Sequence, residues 1–351
     1  MAIIDKPSDY FNTKLYTGTG STLNITGVGF QPDLVWTKLR DTTAEGDMDH
    51  ALVDSVRGVT KTLRSNTTAA EGTEANSLTA FGSDGYTVGN NGKFNYSSSD
   101  IYVSWNWLAG GTASSNTDGS ITSSVSANQD AGFSIVSYTG TGANATVGHG
   151  LGSAPRMMIF KNRDEGAEGW FVYHESIGNT KRLLLNETGA ATTSSTFFQD
   201  TSPTSSIITL GSNHGCNGPD AMICYAFAEK QGYSKFGSYT GNGSTDGPFV
   251  YTGFKPAFVL GKRTDSAGGW WLSDNKRSLG FNLNDEYLVA DSSNAEQDDG
   301  SFASDFLSNG WKARYNNGNF NASGGSYIYM AFAENPFVTS TGSGSLPATA
   351  R

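Results

Sequence analysis

The phrase Tyr16-Thr17-Gly18-Thr19-Gly20 recurs unchanged as Tyr138-Thr139-Gly140-Thr141-Gly142. It recurs again with one change as Tyr239-Thr240-Gly241-Asn242-Gly243. Sixteen or seventeen residues after each tyrosine comes a proline: Pro32, Pro155 and Pro256. From that proline the register holds. A lysine follows six residues on and an aspartate nine on, giving Lys38 and Asp41, Lys161 and Asp164, Lys262 and Asp265. Each unit closes on a similar apolar run, "IYVSWNWLAG", "AMICYAFAEK" or "YIYMAFAENP". A period near one hundred residues is too long for a solenoid and suits tandem domains.

The boundaries that follow are an N-terminal arm at 1–9, units at 10–111, 132–231 and 232–336, a Ser/Thr/Gly-rich linker at 112–131, and a C-terminal tail at 337–351. The linker contains "NTDGSI", which offers a short strand. The second and third units join almost directly, at "AEKQGYSKFGSYTG". That asymmetry predicts close contact between the second and third units, a freer first unit, and a row rather than a ring.

Within the third unit, "SKFGSYTG", "FVYTGF", "AFVLGKR", "GWWLSD", "SLGFNLN", "SDFLSNG", "GWKARY" and "YIYMAFAE" read as strands. Gly supplies 44 residues and aromatics 12% of the chain, a mixture suited to short strands and turns. Short strands at this spacing predict an all-β protein of three tandem antiparallel β-sandwiches, jelly-roll or lectin-like. A β-propeller would need blades of about 40 residues, and that period is absent. Asp-Gly and Asn-Gly in "AFGSDGYTVGNNGKF" and "DFLSNGWKARYNNGNF" signal hairpins. The second unit keeps only "SIITLGS" there and reads as drifted. The closing strands are apolar on both faces, which suits central strands covered on each side.

The formal charge of −10 and the absence of a basic cluster argue against nucleic acid as a partner. No long apolar run predicts membrane insertion, and no basic-then-apolar start predicts a signal peptide. Cys216 and Cys224 read as core thiols rather than a disulfide framework. His50, His149, His174 and His214 form no metal or nucleophile motif, and no cofactor is implied. No helix pattern follows the repeated glycines, so they read as turn formers rather than a phosphate cradle. "DSSNAEQDDG" reads as a solvated loop, and each Lys–Asp pair as a device at a strand end. The glycan-binding candidates are Trp170, Trp270, Trp271 and Asp274, where an indole face meets a sugar ring and a carboxylate meets hydroxyls. Alternation puts Trp270 and Trp271 on opposite faces, so one of them is expected to point outward.

"DYFNTKLYTGTGSTLNITGVGFQPDLVWTKLRD", "GFSIVSYTGTGANATVGHGLGSAPRMMIFKNRD" and the ending "AENPFVTSTGSGSLPATAR" resemble a repeat domain of virion proteins from tailed bacteriophages of aquatic bacteria. The resemblance covers nearly the whole chain. It implies a concanavalin-like sandwich and a non-enzymatic virion component assembled in the host cytoplasm. A tail fibre or tail tip that touches host surface polysaccharide is the leading expectation. A capsid-decorating or head-fibre protein comes second and a polysaccharide depolymerase third. It also implies partners among other virion proteins and a homo-oligomer, with a trimer favoured.

Overall fold

The computed structural model describes residues 3–41, 48–278 and 282–340. Strand accounts for 42% of the structure and helix for 7%, so the chain is all-β. The first unit contributes β1 (Phe11–Thr17), β2 (Leu23–Thr26), β3 (Leu34–Leu39), β4 (Ala51–Asp54), β5 (Leu78–Gly82), β6 (Gly85–Val88) and β7 (Ile101–Trp107). The linker is not a bare loop: it forms a hairpin of β8 (Ser114–Asn116) and β9 (Ser123–Asn128). The second unit follows with β10 (Phe133–Thr139), β11 (Ala145–Gly148), β12 (Met157–Asn162), β13 (Phe171–His174), β14 (Ile207–Leu210) and β15 (Ala221–Phe227). The third has β16 (Ser234–Thr240), β17 (Phe249–Tyr251), β18 (Phe254–Arg263), β19 (Trp271–Asp274), β20 (Ser304–Leu307), β21 (Gly310–Ala313) and β22 (Ser326–Pro336).

The large sheets repeat one strand order: β1-β7-β3-β4, β10-β15-β12-β13 and β16-β22-β18-β19. Each faces a smaller sheet, β2-β6-β5, β11-β14 or β17-β21-β20. Each pair of sheets encloses its own apolar core, as Val35, Val53, Tyr86 and Val88 do in the first unit. The opposite faces of the three large sheets meet in one shared core, which takes Trp36 and Trp105 from the first unit, Ile159 and Tyr225 from the second, and Leu260 and Met330 from the third. This explains closing strands that are apolar on both faces. Trp107, Phe227 and Phe332 hold the same place in those strands, and their ring centroids lie 5.7–6.5 Å apart. The units therefore converge on a pseudo-threefold axis rather than forming the expected row, and the first unit is as enclosed as the others. Two-sided burial of sheets this apolar outweighs the differences in linker length.

The opening phrase has a structural role in all three units. The hydroxyls of Tyr16, Tyr138 and Tyr239 donate to the carbonyls of Phe94, Cys216 and Phe320, each in a one-turn helix. The next residue of each helix is a buried asparagine: Asn95, Asn217 or Asn321. Its carboxamide accepts from the backbone of Thr19, Thr141 or Asn242. Gly20, Gly142 and Gly243 sit at φ +66° to +69°, where a side chain strains the backbone. At Gly18, Gly140 and Gly241 a Cβ would meet a carbonyl oxygen at 2.4, 2.0 and 2.2 Å. Gly140→Ala is accordingly expected to lower stability by about 1–3 kcal/mol through overpacking. Urea unfolding of the purified variant measures this.

Those helices also correct the hairpin reading. Asn91-Gly92 and Asn317-Gly318 start helices, because each asparagine side chain caps the turn by accepting from Lys93 N or Asn319 N. The second unit keeps the device in Asn213-His214-Gly215-Cys216-Asn217, so it has drifted less than its sequence suggests. Asp84-Gly85 and Asn309-Gly310 do close the β5–β6 and β20–β21 hairpins. In "SLGFNLN", residues 279–281 lie outside the described residues, and Asn284 makes only an isolated bridge to Ser304. Cys216 and Cys224 are free and buried, and burial pushes the Cys216 thiol up to about 12. The N-terminal arm lies on the body, with Ile4 N donating to Gln231 O. Asp5 accepts from Ser340 N, so both ends of the described chain meet at one pole. Most of the 337–351 tail, residues 341–351, lies outside the described residues.

Candidate functional site

All four glycan candidates are interior. Trp170 is 0% exposed, Trp270 and Trp271 are 1%, and Asp274 is 0%. The expectation of one outward indole fails because both faces of β19 are covered. Trp270 enters the shared core, and Trp271 packs against Trp311 and Phe320 inside the third sandwich. Asp274 is bound by Arg277 at 2.6 Å and by Trp105 Nε1 at 3.0 Å.

These residues belong to a cyclic set of contacts. Trp170, in the second unit, donates from Nε1 to Arg64 O of the first at 2.8 Å. Trp270, in the third, does the same to Leu184 O of the second at 2.8 Å. His50 stands at the equivalent place in the first unit, with Nε2 3.1 Å from Val289 O of the third. The repeated lysines obey the same rule. Lys161 donates to Thr68 O at 3.0 Å, Lys262 to Thr188 O at 3.0 Å and Lys38 to Ser293 O at 3.2 Å. The lysines thus tie neighbouring units together. In the second and third units the aspartate of the pair is used elsewhere: Asp164 accepts from Ala221 N, and Asp265 pairs with Arg263. Backbone bonds complete each seam: Glu71 N to Arg163 O, Ala191 N to Thr264 O and Glu296 N to Arg40 O, at 2.7–3.0 Å.

Two seams also carry buried charge. Glu71 joins Arg57 and Arg163 between the first and second units, and Arg57 pairs with Asp54. Glu296 joins Arg40 and Arg277 between the third and first. Glu296 and Asp291, which accepts from Trp270 N at 2.6 Å, lie in "DSSNAEQDDG". That acidic run is therefore partly structural rather than simply a solvated loop. The remaining seam, between the second and third units, has Ala191 and Thr264 at the equivalent places, together with His174. Burial pushes the His174 imidazole down to about 4, and its Nε2 lies 3.1 Å from Tyr329 O. Each of these ionisable groups is engaged in holding units together. Glu165, half-buried Glu168 and exposed His214 place ligand atoms within 4.8 Å of one another, with no second feature that points to a cation among the described residues.

Two of the open grooves among the described residues lie at related places. The larger, about 770 Å³, lies where the second unit meets the third. Its walls include the start of β16, the turn Tyr251–Gly253, and Arg156 and Glu175, which pair with each other. Tyr251 is 58% exposed. Glu229 and Lys235 pair at 2.8 Å along the β16 wall. The second groove, about 500 Å³, lies where the first unit meets the third. Asn12 to Leu15 of β1, the turn Gly27–Gly29 and Lys276 line it. Sequence reasoning missed both, because a groove between units has no local motif. The exposed Tyr251 of "FVYTGF" was the available signal.

The chain is all-β, and its three large sheets repeat one strand order and share one core. The chain belongs to the DUF7483 family, a domain of unknown function whose model matches residues 6–336. No curated protein and no solved structure matches the chain.

Proposed function

We propose that the chain is a non-enzymatic structural protein of a bacteriophage particle, serving as a tail-fibre or tail-tip component that touches host surface glycans. The observation that carries the structural half is the closed ring, in which the repeated lysines, the carboxylates of Asp54, Glu71, Asp274 and Glu296, and the indoles of Trp170 and Trp270 are engaged at seams between units. Such a body is rigid and compact. The threefold arrangement that subunits of a trimer reach by association is here internal to one chain. The two poles differ. The described chain begins and ends near one, where Asp5 accepts from Ser340 N, which suits an anchor. The repeated Tyr-Thr-Gly-x-Gly turns follow the far ends of β1, β10 and β16, and beside two of them Tyr96 and Tyr315 are exposed at 44% and 40%. Since the four buried candidates are unavailable, the glycan contact is reassigned to these rings.

Immunogold labelling of intact particles tests the location. Label at the tail is expected. Label on the head would move the protein to capsid decoration, and absence from particles would end the virion reading. Tyr96→Ala with Tyr315→Ala is expected to reduce adsorption to host polysaccharide about tenfold while leaving the circular dichroism spectrum unchanged. Unchanged adsorption would remove the glycan contact.

A further inference from the structure

The three units are equivalent in sheet order, but one edge is treated differently. β10 is the first strand of its unit, and its outer edge is paired antiparallel with β9, from Ser124 opposite Ser137 to Asn128 opposite Phe133. β1 and β16 hold the same place in their units, yet each ends its sheet. The filled edge shows what the place accommodates. β9 lies between β10 and the turn Gly150–Gly152, where a Cβ on Gly150 would fall 3.1 Å from Ala127 and 3.2 Å from Val125. Counting back from the repeated prolines, Gly150–Gly152 corresponds to Gly27–Gly29 and to Tyr251–Gly253. Those turns, with the edges of β1 and β16, line the two grooves. Each groove is the place that β9 fills in the second unit, left open in the other two.

We propose that the β16 groove receives an extended strand from another polypeptide, added antiparallel to β16 as β9 is to β10. The β16 groove is favoured over the β1 groove because it is larger and because three arm residues, Lys6, Ser8 and Asp9, line the latter, whereas a single tail residue, Val338, reaches the former. Backbone direction agrees. Ser234 N donates away from β22 to Lys230 O, and Phe236 N donates to Glu229 Oε2 at 3.4 Å. By alternation Ser238 presents its N–H to the same side, and Ser238 is exposed. Phe236 corresponds to Ile135, which faces Ser126 of β9. The Glu229 carboxylate thus stands where an incoming strand would offer a carbonyl, and it blunts the edge until displaced. The chemistry of the occupant follows from the filled site. β9 reads Ser-Ser-Val-Ser-Ala-Asn. Where Ala127 and Val125 approach Gly150, the third unit has Tyr251. The donated strand therefore carries small residues, Ser, Thr, Ala or Gly, against that ring. Main-chain bonds supply the affinity and the tyrosine supplies the selection.

The probe is a fluorescent synthetic peptide with the sequence of residues 121–129, titrated into the full chain. Saturable binding is expected, with slowed amide exchange at Phe236 and Ser238. Glu229→Ala is expected to tighten binding about threefold or more by removing the competing acceptor. Ser238→Pro is expected to abolish binding by removing one donor. Tyr251→Ala leaves every backbone bond in place and is expected to weaken binding severalfold, so it serves if the proline variant does not fold. No saturable binding overturns the proposal. So does protection confined to Ile135 and Ser137, which would mean that the peptide merely replaces β9. The location of the protein on a particle does not enter this test, so it stands or falls separately from the virion reading.

Discussion

Arg277→Met is expected to lower the stability of the chain by about 3–5 kcal/mol, the cost of leaving a buried charge without its partner. Arg277 is fully buried and binds Asp274 at 2.6 Å, Glu296 at 2.9 Å and Leu272 O at 2.8 Å. Burial by itself would raise the Asp274 carboxyl. The Arg277 guanidinium outweighs that, with help from the Lys276 N–H and the Trp105 indole, and holds it below its usual range. With the guanidinium gone, Asp274 stays buried between two units and either remains charged at a cost or takes up a proton. Guanidinium chloride unfolding at neutral pH measures the loss. The double variant Asp274→Asn/Arg277→Met is expected to recover part of it, because no lone charge remains. A loss below about 1 kcal/mol in the single variant would mean that the charged seam contributes nothing net.

The second large effect is alkaline. Burial raises the phenols of Tyr16, Tyr138, Tyr225, Tyr233 and Tyr239 well above their ordinary value. Their folded-state values exceed the unfolded value near 10. Below that pH both states are protonated and the contribution is complete. Above it the unfolded chain loses protons that the folded chain keeps, so stability falls as pH rises. Two lysines act oppositely in a lower window. Burial pushes the Lys161 and Lys262 ammonium groups down to about 8. Between about 8 and the unfolded value near 10.4, the unfolded chain binds more protons, so stability rises with pH. Burial also raises the Cys216 and Cys224 thiols, which oppose the lysines from the unfolded thiol value near 8.5 upward. The melting temperature is therefore expected to stay nearly level from pH 7.5 to about 9 and to collapse beyond about 10.5. Most of the tyrosinate absorbance near 295 nm should appear together with the loss of circular dichroism. Ionisation of all 15 tyrosines with the fold intact would refute the buried-phenol account.

The repeat was legible because it rests on residues that no neighbour can replace. Gly18, Gly140 and Gly241 touch carbonyl oxygens, and their tyrosines hold the one-turn helices. The strands were legible from alternation and turn residues. Their arrangement around one axis was not, because it depends on which face of each large sheet finds a partner. Both faces of β3 carry apolar residues: Val35 faces the local core, while Leu34 and Trp36 face the shared one. The same ambiguity misled the reading of Trp270 and Trp271. Alternation assigned them to opposite faces correctly, but a face opposite one core was taken to meet solvent, and here it meets a second core. The seams were hidden because their acceptors are backbone carbonyls, which leave no trace in a residue's identity.

The drift of the middle unit gains a meaning from the cyclic seams. In an assembly of three identical subunits, one substitution alters every seam at once. When the three copies are fused in one chain, each seam mutates alone. The seam between the second and third units has Ala191, Thr264 and His174 at the places where the other two have arginines and carboxylates, and keeps only its lysine. One edge has likewise acquired the β9 hairpin while two remain bare. Fusion thus gives such a ring something that a cyclic homotrimer cannot have: one side that differs from the other two.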